Sequence, residues 1–217
     1  MATLQGVYSA SVLDNQDPDG LARVRVRVSG LTDTIGGSEL WARVATLMAG
    51  RNRGTWFMPD VGDEVLVAFE GGELRVPYVI GALWNAKARP PAGGADAANG
   101  VKLIRSRNGI TLRIRDDSNN NSLVIETPGG QRMTLQDGPG SVRLEDSNGN
   151  AVTLAASGVT VNASAKVTIN ASTVDVSAAV VTVNAGMSRF TGVVQCDTLI
   201  STSVVSASYS PGAGNQM

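Results

Sequence analysis

Apolar and polar residues alternate over short stretches along most of the chain, which is the pattern of β-strands with one buried face. The clearest case is residues 22–28, where valines at 24, 26 and 28 alternate with Arg23, Arg25 and Arg27. Successive residues of a strand project to opposite faces, so the valines predict a core face and the arginines an outer one. The arginine row is interpreted as a solvated strand face or as a contact with a neighbouring protein.

The first 85 residues contain five such stretches, separated by turns rich in Asp, Asn, Gly and Pro. A long loop lies between the third and fourth. Five short strands with this spacing favour a small barrel of the oligonucleotide/oligosaccharide-binding (OB) type. The predicted strands cover about residues 6–13, 22–28, 40–46, 64–70 and 77–85.

The second half of the chain is a repeat array, in which two apolar residues two positions apart recur at intervals that shorten toward the C-terminus. Each pair predicts one short strand with two side chains on the same face. Gly, Asn, Ser, Asp and Ala lie between the pairs and favour turns. The pairs are Ile110/Leu112, Leu123/Ile125, Met133/Leu135, Val142/Leu144, Val152/Leu154, Val159/Val161, Val167/Ile169, Val174/Val176 and Val181/Val183.

Two small apolar side chains per strand bury too little area to offset the entropy of ordering the connectors. Several chains that share one core would solve this problem, because three copies around an axis turn each pair into a closed apolar ring. The repeat alone leaves this choice open, since a flat antiparallel meander has the same period. We infer the shared core.

Composition removes several classes of function. The chain has no histidine, which excludes Ser-His-Asp and Cys-His catalysis and the commonest metal ligand. Its net charge of −1 lacks the basic excess of a nucleic-acid binder. Asp116 and Asp117 are adjacent in a predicted polar turn, and the single Cys196 is interpreted as a small buried residue. We therefore predict no catalytic, cofactor-binding or metal-binding site.

Aromatic residues are only 4% of the chain and lie mostly before residue 90. Trp41, Trp56 and Trp84 are interpreted as barrel core or inter-subunit packing rather than as a platform for stacking bases. Segment 85–100 is rich in Ala, Gly and Pro and predicts a linker between the two halves.

Residues 41–91 resemble the phage baseplate assembly protein V and VgrG spike family. Several separate elements of the family occur in the expected order, which makes the resemblance specific for this part of the chain. They are Trp41, Arg43 and Val44, Ala49-Gly50, the run 59–65, the Gly-Gly-Glu turn at 71–73, Pro77, the run 80–85 and Pro90-Pro91.

The resemblance implies an all-β homotrimer, with a five-stranded OB-type barrel followed by an intertwined triple-stranded β-helix. We expect the OB domain at 1–87, a linker at 88–100, the β-helical spike at 101–206 and a tip segment at 207–217. The implied function is the structural central spike of a contractile phage tail or related injection system, not an enzyme. A β-helical tail protein that binds or depolymerises surface polysaccharide is the alternative.

The implied partners are a separate baseplate hub protein at the OB domain, the target cell envelope, and a PAAR-type tip protein, with no nucleic acid and no cofactor. Tyr209, Ser210, Pro211 and Gly212 are the candidate docking residues for the tip protein. The N-terminal residues show no signal-peptide pattern. We therefore expect synthesis in the bacterial cytoplasm and incorporation in a baseplate.

Overall fold

The structure is a computed structural model that describes residues 4–31, 39–92, 99–118, 120–138 and 140–208. Its regular elements in this part of the chain are β-strands and one short 3₁₀ turn at Glu70–Gly72. The strands are β1 (Val7–Asp14), β2 (Arg23–Val28), β3 (Glu39–Val44), β4 (Ala49–Gly50), β5 (Arg53–Gly54), β6 (Glu64–Phe69), β7 (Pro77–Leu83), β8 (Val101–Arg105), β9 (Thr111–Arg115), β10 (Ser122–Glu126), β11 (Arg132–Gln136), β12 (Ser141–Glu145), β13 (Ala151–Ala155) and β14 (Gly158–Asn162).

Five strands close into a barrel in the order β1-β2-β3-β7-β6, with β6 returning to β1. All neighbouring strands are antiparallel except β3 and β7, which run parallel. The predicted five-stranded barrel is therefore confirmed. The long loop after β3 also contains a hairpin, formed by β4 and β5, that sequence reasoning missed because strands of two residues are too short to show alternation.

The barrel core consists mostly of valine. Val24, Val26 and Val28 of β2 are at most 2% exposed and pack with Val65 and Val67 of β6. Tyr8 packs edge-on against the ring of Phe69, with 5.5 Å between the ring centres. Small β-branched side chains fill a narrow barrel without the bulk of large aromatics. The prediction that the β2 valines face inward is confirmed.

Strands β8 to β14 form a seven-stranded sheet in consecutive order, in which every pair is antiparallel. Within one chain this part of the array is a meander. The pair predicted at Ile110/Leu112 is wrong, because β9 begins at Thr111 and its apolar pair is Leu112 and Ile114. Ile110 closes the preceding turn instead: its carbonyl accepts a hydrogen bond from the amide of Ser106 at 2.9 Å.

Contacts divide the chain into two units, residues 1–167 and residues 168–217. In the second unit the described residues 168–208 contain no hydrogen-bonded strand and are exposed. The prediction that Cys196 is buried is wrong for a single chain, since this thiol is exposed. Burial there requires a neighbour that one chain does not supply.

Candidate subunit interface

One face of the meander consists of two straight columns of apolar side chains. The strand register places residues of successive strands directly opposite one another, so side chains of the same face line up across the sheet. Every position of the two columns is apolar except Lys102. The first column is Ile104, Leu112, Ile125, Met133, Leu144, Val152 and Val161; the second is Lys102, Ile114, Leu123, Leu135, Val142, Leu154 and Val159.

These columns, which we call the apolar face, are not covered by any other part of the described chain. Leu144 is 58% exposed and Val159 is 69% exposed, whereas the barrel valines are almost fully buried. A contiguous exposed patch of this kind on a soluble protein marks an interaction surface. Single exposed apolar residues are ordinary, but a complete face of a sheet is not.

The opposite face of the meander is mostly polar. Its middle column runs in the order Leu103, Arg113, Val124, Thr134, Arg143, Thr153 and Thr160. Charged pairs continue beside that column: Glu126 accepts a hydrogen bond from the guanidinium of Arg132 at 2.9 Å. This face suits contact with water. The two faces of the sheet therefore differ in polarity.

The turns between strands are built by short polar side chains. The carboxylate of Asp146 accepts hydrogen bonds from the backbone amides of Asn148 and Asn150, both at 2.9 Å, and from the side-chain amide of Asn150 at 2.7 Å. These donors, first the Asn150 side chain, lower the pKa of Asp146 to about 2. Gly149 in the same turn has a φ of +87°, which residues with a side chain rarely adopt.

Apolar pairs beyond the meander are exposed as well. Val167/Ile169, Val174/Val176 and Val181/Val183 are between 59% and 70% exposed. Their spacing continues the pattern that produces the apolar face, but they form no strand within the chain. The predicted tip residues Tyr209, Ser210, Pro211 and Gly212 lie outside the described residues.

The loop before β2 and the arginine row form an ion-pair network. The side chain of Asp17 is only 3% exposed, and the guanidinium of Arg23 donates to both of its oxygens, at 2.7 and 3.0 Å. This contact holds the pKa of Asp17 well below its usual range. Arg27 pairs with Glu39 at 2.6 Å, and Arg25 lies near the same carboxylate. Each arginine of the row thus forms an ion pair within the chain, and a contact with a neighbouring protein stays a prediction.

A second exposed apolar region lies at one rim of the barrel. Trp56 is 73% exposed and Trp84 is 71% exposed, so these two are not barrel core. Trp41 is half-buried, and the Arg23 guanidinium lies 5.7 Å from the centre of its ring. The barrel-core role expected for the tryptophans is therefore wrong for Trp56 and Trp84, and inter-subunit packing stays a prediction for them. The sequence feature that could have indicated this exposure is the aromatic pair Trp56-Phe57, which lies in an otherwise polar loop.

Within residues 4–31, 39–92, 99–118, 120–138 and 140–208, no three Asp, Glu, Cys or His side chains are grouped to hold a metal ion. Asp116 forms an ion pair with Lys102 at 3.4 Å. No helix in that part of the chain has the length and apolar character needed to cross a membrane.

A closed barrel joined to a sheet with one uncovered apolar face defines the class of protein: an all-β subunit of a larger assembly. Residues 8–84 match the model of the type VI secretion system/phage-baseplate injector OB domain, and residues 122–187 match that of the phage baseplate V C-terminal trimerisation domain. The chain thus carries a domain of each of these two baseplate families. The uncovered apolar face is consistent with the triple-stranded β-helix expected from the resemblance.

Several relatives of the chain are described as spike proteins. The chain is 37% identical over 76 residues to the spike protein of Escherichia phage P2, which covers 35% of this chain and 32% of that protein. It is 29% identical over 106 residues to the type VI secretion system spike protein VgrG1b of Pseudomonas aeruginosa, covering 46% of this chain and 14% of the relative. VgrG1a of the same organism is 29% identical over 105 residues. The chain thus spans a third or less of the relatives' length.

Proposed function

We propose that the chain is the structural central spike of a contractile phage tail or phage-tail-like injection system, and that it acts as a homotrimer. The observation that carries the proposal is the apolar face, which is uncovered in one chain and lies largely within the segment that matches a trimerisation domain. Three copies around an axis would convert the two columns into a continuous apolar core. Relatives described as spike proteins support the same role.

Burial supplies the driving force for this association. A fully buried aliphatic side chain contributes roughly 1.5 to 3 kcal/mol relative to an exposed one. Each strand from β9 to β14 adds two such side chains per chain and β8 adds one, and the exposed pairs of residues 167–183 extend the series. A core shared by three chains is difficult to open locally, because exposing one strand exposes its partners as well. Such an assembly would be stiff and slow to unfold, as a puncturing device requires.

The domain plan that goes with this proposal is an OB domain at 1–87, a linker at 88–100, a spike at 101–206 and a tip segment at 207–217. The OB domain would attach to a baseplate hub protein, and the spike would meet the target envelope when the sheath contracts. A PAAR-type tip protein docked at residues 209–212 completes the proposal. No step of this function requires catalysis by the chain.

The mass of the purified chain in solution tests the proposal. We expect light scattering to give about three times the 22.4 kDa of one chain, and expect that species to persist during brief exposure to SDS. A monomer at all concentrations would contradict the spike function, because the apolar face would then be covered by something other than copies of the chain.

A further inference from the structure

The barrel rim near the sheet carries two apolar patches on different strands. The first, the hairpin patch, consists of Leu47, Met48, Trp56 and Phe57 in the loop after β3. The second, the junction patch, consists of Val61, Leu83 and Trp84 beside the starts of β6 and of the sheet. Exposure ranges from 36% for Leu83 to 96% for Leu47.

Both patches lie at the same end of the barrel. Because β3 and β7 run parallel, the loop that follows β3 and the segment that follows β7 leave from the same rim. Glu64 pairs with Leu83, which places the start of β6 there too. This is also the rim next to the meander, since Arg107 in the β8–β9 turn forms an ion pair with Asp60 at 3.0 Å.

The hairpin patch is held in a fixed shape. The hydroxyl of Thr46 donates to the carbonyl of Thr55 at 2.8 Å, and the amide of Thr55 donates to the carbonyl of Met48 at 3.0 Å. Gly54 has a φ of +155°, and a Cβ at this position would lie 2.6 Å from the Met48 carbonyl oxygen. The loop therefore folds tightly back on itself and presents Trp56 and Phe57, and tryptophan is among the residues enriched in interface hot spots.

The cleft at the hairpin patch is basic, whereas the cleft at the junction patch carries charges of both signs. The cleft at the hairpin patch is lined by two charged residues, Arg43 and Arg53, and neither forms an ion pair within the described residues. The cleft at the junction patch, of about 650 Å³, contains Asp63 and Glu64, which likewise have no ion-pair partner in the described part of the chain. Three basic residues, Arg89, Arg105 and Arg107, line the junction cleft as well, so its charges balance and apolar contact rather than charge would join the two patches.

We propose that the hairpin patch of each barrel docks on the junction patch of the next copy, so that three barrels form a closed ring at the level where the sheet begins. The hairpin patch lies beside β2 and β3, and the junction patch beside β6 and β7, which are different sectors of the rim. A three-fold ring requires two different surfaces in each contact, whereas a two-fold dimer would join one surface to itself. This inference rests on the proposed homotrimer.

Directed cross-linking of the full chain tests the inference. The variant carries Trp56→Cys, Trp84→Cys and Cys196→Ser, and is treated with a short bis-maleimide after its mass has been measured. We expect loss of the monomer band on a denaturing gel, with covalent dimers and trimers in its place. Trp56→Cys alone and Trp84→Cys alone, each with Cys196→Ser, should stay monomeric on the gel, because each contact needs one cysteine of each kind.

The matched control replaces Trp84→Cys by Glu73→Cys, an exposed position in the turn between β6 and β7 at the other end of the barrel. This pair should not cross-link. The inference is overturned if the double variant has the mass of a trimer and gives no cross-link, or if Trp56→Cys cross-links alone. A wild-type chain that is a monomer overturns the homotrimer itself, so the two failures are distinguishable.

Discussion

The barrel and the meander use the same alternating pattern but bury it differently. In the barrel, closure brings the apolar faces of β1, β2, β3, β6 and β7 together, and the valines at their centre are almost fully buried within one chain. In the meander, seven strands lie in one layer and their apolar face remains open. Alternation thus identifies which face is apolar, whereas topology decides whether the same chain covers it.

The strongest test of this difference puts a charge on the apolar face. Leu154→Asp would bury one carboxylate per chain in the shared core, and each unpaired buried charge costs several kcal/mol. We expect the trimer to dissociate to monomers in light scattering, while the barrel remains folded.

Thr153→Asp is the matched control, because residue 153 is on the opposite face and Arg143 lies within 3.4 Å of its hydroxyl. That carboxylate would be solvated and paired. Equal loss of the trimer in both variants would mean that the two faces are not inside and outside as assigned.

The barrel core should respond to a smaller change. Val26 is 0% exposed, and Val26→Ala removes two buried methyl groups. We expect a loss of roughly 2 kcal/mol in the free energy of barrel unfolding. Val7→Ala is the same substitution at a position that is 55% exposed and should change it little.

Chemical unfolding of the full chain at two protein concentrations separates the regions. The midpoint for the barrel should depend weakly on concentration, because its core is within one chain. The midpoint for the array should rise with concentration, as for any structure that exists only in an assembly. A barrel midpoint that rises as steeply as that of the array would show that the barrel, too, is stable only in the assembly.

Ion pairs on the barrel allow a finer comparison. Arg23→Gln leaves Asp17, whose side chain is 3% exposed, without its two-point partner. Arg27→Gln breaks a contact in which both side chains are well exposed. We expect thermal unfolding of the barrel to shift clearly for the first variant and hardly at all for the second, because exposed ion pairs stabilise little. A larger shift for Arg27→Gln would contradict this ranking.

Much of the fold was accessible from sequence because alternation is local. The β2 valines, the five barrel strands and most apolar pairs of the array follow from it, and residues 41–91 carried the family resemblance. The error at Ile110 has a local cause too: an apolar residue that ends a turn has the same spacing from Leu112 as a strand partner.

The rest depended on contacts between distant residues. That Asp17 binds Arg23, or that Trp56 and Trp84 lie exposed at one rim, follows from how the barrel closes, and no short pattern contains it. The hairpin of β4 and β5 was missed because its two-residue strands have no period. Composition predicted that the tryptophans would pack against other apolar groups, but it did not predict whether they would lie in the barrel core or on its surface.

The smallest expected effect concerns a turn of the meander. Asp146 is held ionised by four hydrogen-bond donors of Asn148 and Asn150, with its pKa lowered from 3.8 to about 2. A carboxyl whose pKa is lower in the folded state stabilises that state above its ordinary pKa, and the contribution disappears as the pH falls through the folded value. Asp146 should therefore support its turn fully above about pH 4 and lose this role between about pH 4 and pH 2.

Hydrogen exchange at the amides of Asn148 and Asn150 measures this locally, as the ratio of wild type to Asp146→Asn at each pH. At pH 6 the wild type should be better protected, because Asn supplies a weaker acceptor and a misplaced donor. The ratio should fall toward one as the pH drops through about 2, because the wild-type carboxyl then becomes neutral, like the Asn side chain. A ratio that stays constant over this range would show that the turn is stabilised by its backbone geometry, with Gly149 at positive φ, and that ionisation of Asp146 contributes nothing.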